Sequence, residues 1–145
     1  MVLKYVAIDL ATKRQRLVDA PASGSGSGGS ATMPALAAAA SLSALRVITL
    51  NAFGQWVYAD AGNADHAHQA IALLTIATAI GQLATPLAQG LATDSAWNWA
   101  LSLPLFLGSN GQLTQIEPAT AVYRVVAFPL TANQLYFNPV EGVLL

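Results

Sequence analysis

The chain has 145 residues, room for one domain and an arm, and only 9% of them are charged against 54% apolar; ordinary soluble domains carry about 25% charged residues. A net charge of −1 provides no global pull towards nucleic acid or anionic membranes. With no cysteine, disulfides, thiolate metal sites and thiol catalysis are excluded. So charge-poor a chain suits a protein that hides surface against copies of itself or partners, because surface charge is what keeps molecules apart in solution.

Taken in chain order, Val2–Ile8 reads as a strand, and a turn around "LATK" leads to a hairpin partner at Gln15–Asp19. This opening is not a signal peptide: its basic residues follow the short apolar run, and Asp9 interrupts it. Lys4, Lys13, Arg14 and Arg16 make the arm basic, whereas residues 47–145 hold one base, Arg124, against five acids. Each single charge reads as solvated surface. Residues 1–20 are therefore a hairpin arm and 21–44 a Gly/Ser/Ala-rich linker, with Ser23–Ser30 its flexible core. "GSGSGGS" is not a phosphate loop, since it lacks both a lysine and a strand-to-helix setting. "ALAAAASLSAL" reads as a short helix or as a small-residue segment threading between neighbours.

From Leu45 the signals are those of strands. "LRVITLNAFGQWVYADA" predicts two strands around Asn51–Gly54. The run from Gln69 to Thr93 contains no charge, yet Gly81, Gln82, Pro86 and Gly90 spoil it as a membrane span. Its β-branched residues favour a strand over Gln69–Thr78, with a short helix as the alternative. Ile71 and Leu73 fall on one face and Leu74 and Ile76 on the other, so such a strand is buried on both sides or lies between subunits. "SAWNWALSLPLFLGSNGQLTQ" predicts another pair, with Trp97 and Trp99 on one face and Phe106 opposite Leu105 and Leu107. Asn110–Gly111 is its hairpin turn. Pro104, Pro118, Pro129 and Pro139 belong at strand ends or edges. Short strands punctuated by turns predict a mainly β body over 45–145, a small barrel or sandwich.

Chemistry-bearing residues are sparse. His66-x-His68 beside Asp60 and Asp65 is the nearest approach to a metal site; on a strand both imidazoles would share a face, but no full ligand set is defined. We expect no metal and no cofactor. No nucleophile motif or paired carboxylates appear, so an enzyme is not expected. Trp97, Trp99, Tyr58 and Tyr136 are candidate sugar-stacking contacts, although tryptophans of this kind more often serve as core or interface anchors.

Taken together, these stretches resemble a family of small bacteriophage virion proteins. "WNWALSLPLFLGSNGQLTQIEP" is similar to the family's W-x-W … G-x-P-x-x-L-G-x-x-G-x-L-T-Q-x-x-P passage, with Leu103 standing where the pattern has Gly. "RVITLNAFGQWVYADAGNADHAHQAIALLTIATAIGQLATPLAQG" resembles its preceding segment. The resemblance covers about Leu45–Leu145. It implies a β-barrel-like, β-clip or cement-type domain that forms trimers on virions, either at tail tips, baseplates and fibres or as capsid decoration. On this reading Ile71, Leu73, Ile76, Trp97, Trp99 and Phe106 are interface residues. The arm docks onto other virion proteins, a host cell-surface receptor is a further partner, and neither nucleic acid nor membrane insertion is involved. A carbohydrate- or surface-binding module is the reading from another class.

Overall fold

A computed structural model describes residues 30–119 and 121–145. The predicted arm strands and all of the Ser23–Ser30 linker except Ser30 lie outside the described residues. The strands are β1 (Ala31–Thr32), β2 (Leu36–Ala37), β3 (Arg46–Leu50), β4 (Trp56–Tyr58), β5 (Ile71–Leu74), β6 (Leu83–Ala84) and β7 (Leu87–Thr93). They continue with β8 (Leu105–Leu107), β9 (Leu113–Thr114), β10 (Val122–Tyr123), β11 (Val125–Thr131), β12 (Gln134–Phe137) and β13 (Val143–Leu144). Eight of them form one antiparallel sheet in the order β4-β3-β5-β7-β12-β11-β8-β9, to which β1 adds along β7. The sheet curls into a half-barrel, so the mainly β, barrel-like class is correct.

Both hairpins predicted around Asn51–Gly54 and Asn110–Gly111 form where turn chemistry marks them. Asn51 Oδ1 accepts the main-chain N–H groups of Phe53 and Gln55 at 2.9 and 3.0 Å, and Gly54 takes φ +73°. Asn110 and Gly111 take φ +51° and +73°, and the Gln112 N–H donates to Ser109 O at 3.0 Å. Two successive left-handed residues closed by that bond make a type I′ turn, whose twist matches the flanking strands. β8 and β9 therefore pair in the register Phe106↔Thr114 and Leu107↔Leu113.

That turn also joins the two ends of the sheet. The Gly111 N–H donates to Ala59 O at 2.6 Å, the Ala61 N–H to Gly108 O at 3.0 Å, and Arg46 Nη1 to Asn110 O at 2.8 Å. This seam links the chain following β4 to the β8–β9 turn. It also explains Gly111 twice over, since an added Cβ would collide with the Val47 carbonyl of β3.

The concave side holds the main core, including Val47, Ile71, Leu73, Leu105, Leu107, Val126, Leu135 and Phe137. A second cluster lies on the other face of β3–β5: Ile48, Trp56, Ala72 and Leu74 pack beneath Ala38, Leu42 and Ala84. All four residues of β5 are consequently buried, but the cover is the chain's own. Residues 36–42 thread across, with β2 pairing β6, Ala38 bridging Trp56 and Leu42 bridging Thr78. Leu42 is one of the buried side chains, and burying a leucine contributes about 1.5–3 kcal/mol.

Three expectations change here. Residues 31–42, read as linker, carry β1 and β2 and pack on the sheet, because the small residues of 35–45 fit closely over a sheet face. The helix alternative for that segment does not occur. The strand expected over Gln69–Thr78 stops at Leu74, and Ile76 lies in the loop beyond it, 75% exposed. Pro104 directly precedes β8, as expected. Pro129 sits within β11 but beyond the reach of β8, which pairs only Val125 and Ala127; its missing donor falls where the strand is locally an edge.

Candidate functional site

Alternation along β7, β11 and β12 builds an uncharged feature of the outer surface among the described residues. These three strands, "LAQGLAT", "VVAFPLT" and "QLYF", contain no charged residue. Register places Leu91, Tyr136 and Phe128 in one cross-strand row. Leu91 and Phe128 are 52% and 44% exposed, and Leu130, at the β11 bulge, is 50% exposed. Gln89 Nε2 donates to Tyr136 Oη at 2.6 Å and Gln134 Nε2 reaches Thr93 Oγ1 at 3.4 Å, so the flanking polar groups are tied to the sheet. The result is an apolar row with uncharged borders, the kind of surface that marks an interaction site.

Trp97 and Trp99 do not lie on a strand. They belong to the connection between β7 and β8, which docks on the β11–β12 turn: the Trp99 N–H donates to Ala132 O at 2.9 Å and Asn133 Nδ2 to Trp97 O at 2.7 Å. The rings stand 5.4 Å apart at 45° and pack, half-buried, against the main core. Further along, Gln115 clasps the same connection by accepting the Ala100 N–H and donating to Ala100 O and Leu103 O. Leu101, Leu103 and Ile116 are exposed around it.

The predicted interface set therefore divides. Ile71, Leu73 and Phe106 are buried in the chain's own core; Phe106 packs edge-on to Tyr123 at 5.1 Å. Ile76 is exposed on the loop that borders a hollow of about 230 Å³ formed by residues 74–79 and 82–85. The four aromatic sugar-contact candidates are not one platform. Tyr58 accepts the Ser43 N–H at 2.7 Å with the Arg46 guanidinium over its ring, and Tyr136 belongs to the outer row. Burial pushes the Tyr58 phenol up, but the Ser43 bond and Arg46 outweigh it and leave it below its ordinary value.

His66 and His68 occupy the tight Ala64–Ala67 turn and its end rather than a strand, so they do not share a face. His66 is 8% exposed, and its Nδ1 accepts the Asp60 N–H at 2.8 Å. His68 points outward to Glu141, with Nδ1 to Oε2 at 2.8 Å. Among the described residues no three His, Asp or Glu side chains converge to hold a metal ion. Burial lowers the His66 pKa below 6.5, Arg124 acting in the same sense and Asp60 and Asp65 opposing.

Sequence reading missed Arg124. This side chain is 6% exposed and makes no ion pair among the described residues. It donates Nε–H to Val140 O at 2.7 Å and Nη1–H to His66 O and Gln69 O at 2.8 and 2.7 Å. It thereby ties the Ala64–Ala67 turn to the C-terminal segment. Burial lowers its pKa, with Glu141 opposing. The available signal was parity: Arg124 alternates with Val122 and Val126, both fully buried.

No protein-family model, curated protein or solved structure matches this chain. Its surface chemistry has to speak for it. Among the described residues no helix is long and apolar enough to cross a membrane. The strongest feature is the outer face of β7, β12 and β11, a surface that can bury apolar area but offers no charge for steering or acid–base work.

Proposed function

We propose that this chain is a non-enzymatic structural subunit that self-associates, as a homotrimer, through the outer face of β7, β12 and β11. The observation that carries the reading is the uncharged row of Leu91, Tyr136 and Phe128, with Leu130 beside it. Burial of such residues against a second copy recovers about 25 cal/mol per Å² of apolar area. The low charge of the whole chain supports the same reading.

The assembly we propose is a bacteriophage virion. Support comes from the residue pattern of Trp97, Trp99, Pro104, Phe106–Gly108, Gly111, Leu113–Gln115 and Pro118. The tail tip, baseplate or fibre is the proposed location, with residues 1–20 as the attachment arm; capsid decoration is the alternative. Attachment through both arm and body gains from effective concentration.

The test is the mass of the purified full chain by light scattering, beside a Leu91→Ser/Phe128→Ser double variant. A trimer that the double variant dissociates supports the reading. A monomeric wild type sinks it and favours the surface-binding module. Copy number per particle separates the locations: hundreds of copies mean the head, a few trimers the tail.

A further inference from the structure

The buried His66 ring accepts the Asp60 N–H at Nδ1 and has the Asn63 side-chain amide beside its Nε2. We propose that His66 is an acid-sensitive clasp on the barrel seam: protonating its ring breaks the bond from the Asp60 N–H and loosens the turn and seam built around it. The donor to Nδ1 is a main-chain amide and cannot reverse its role, so the bonded ring is neutral with its proton on Nε2. Asn63 Nδ2 lies 3.3 Å from Nε2, while Asn63 Oδ1 already accepts the Asp65 N–H at 3.0 Å. Turning that amide over to serve the ring would therefore sacrifice the cap of the Ala64–Ala67 turn. A second proton on the ring finds a donor where it needs an acceptor.

The ring stands where three parts of the fold meet. Asp60 itself spans the seam, its carboxylate accepting the N–H groups of Gly62 at 2.7 Å and Asn110 at 3.2 Å. His66 O receives Arg124, and Ala67 O receives the Gly142 N–H at 2.8 Å. The charged groups around the ring pull in opposite directions. Asp60 and Asp65 favour the imidazolium, whereas Arg124 and burial oppose it, and the opposing side prevails. His68 is turned away to Glu141 and exposed. With the folded-state pKa below 6.5, the folded state binds fewer protons than the unfolded chain. The contribution of the clasp is then complete above about pH 6.5 and is lost as pH falls through the folded value.

The test pairs an NMR titration of the His66 and His68 ring protons with amide exchange in the full chain. We expect His66 to titrate below pH 6.5. The protection factors of the Asp60 and Gly142 amides should fall about threefold or more from pH 7.5 to 5.5, tracking that midpoint. His66→Gln, which accepts a hydrogen bond without gaining charge, should flatten the dependence, and His68→Gln should keep it. A His66 midpoint at or above 6.5, constant Asp60 protection, or an unchanged pH dependence in His66→Gln overturns the proposal. Should His66→Gln not fold, the wild-type titration and exchange decide alone.

Discussion

Gly111→Ala and Gly54→Ala form a matched pair that measures how tightly the seam is built. Both glycines have φ +73° and both lie in hairpin turns, so each alanine incurs the same left-handed backbone penalty, about 1–2 kcal/mol. Their surroundings differ. A Cβ at Gly54 meets nothing within 4 Å, whereas one at Gly111 runs into the Val47 carbonyl oxygen and lies 3.1 Å from Val47 N and 3.2 Å from Tyr58 Cδ1. Val47 is held in β3 between β4 and β5, so its backbone cannot withdraw without disturbing two ladders. Forcing extra atoms into packed structure costs about 1–3 kcal/mol, which brings Gly111→Ala to about 2–5 kcal/mol in all. Urea unfolding followed by tryptophan fluorescence reads the difference. With a slope of about 1–3 kcal/mol per molar, the midpoint of Gly111→Ala should fall below that of Gly54→Ala by about 1 M, with the slope unchanged. Equal midpoints would refute the argument, because β3 would then yield to the turn at no cost.

Arg124→Met keeps most of the side-chain volume but leaves the carbonyls of His66, Gln69 and Val140 without their donor; part of that loss is made good by water at the surface, so about 2–4 kcal/mol is expected. A loss below about 1 kcal/mol in the same urea assay would show that the carbonyls are readily rehydrated. Asn51→Ala removes the acceptor of two main-chain N–H groups in the β3–β4 turn and should cost about 1–2 kcal/mol. Faster exchange should then be confined to Phe53–Gln55, and loosening spread along β3 would contradict so local a role.

Turn chemistry was readable because it is local. Asn51–Gly54 and Asn110–Gly111 are marked by residues that tolerate left-handed backbone or bond back to it, and both hairpins form. The end of β5 was not readable. "IALLTIATAI" continues apolar and β-branched past Leu74, and the strand stops only where pairing with Arg46 of β3 runs out. Trp97 and Trp99 misled for a similar reason: alternation predicts a shared strand face, yet their backbone is committed to Ala132 and Asn133 on a distant turn.

Sequence alone determined the β class, the hairpins, the poverty of charge and the apolar character of both faces of β5. It left open what covers those faces, since an apolar strand buried by its own chain and one buried by a neighbour have the same composition. Tertiary structure decided that residues 36–42 cover the Ala72 and Leu74 face of β5 and the main core covers its Ile71 and Leu73 face, while the outer row of Leu91 and Phe128 is exposed among the described residues. It also decided the fates of His66 and Arg124. Parity hints that Arg124 is buried, but its acceptors His66 O and Gln69 O lie in a segment some 60 residues away, and no local pattern names such partners.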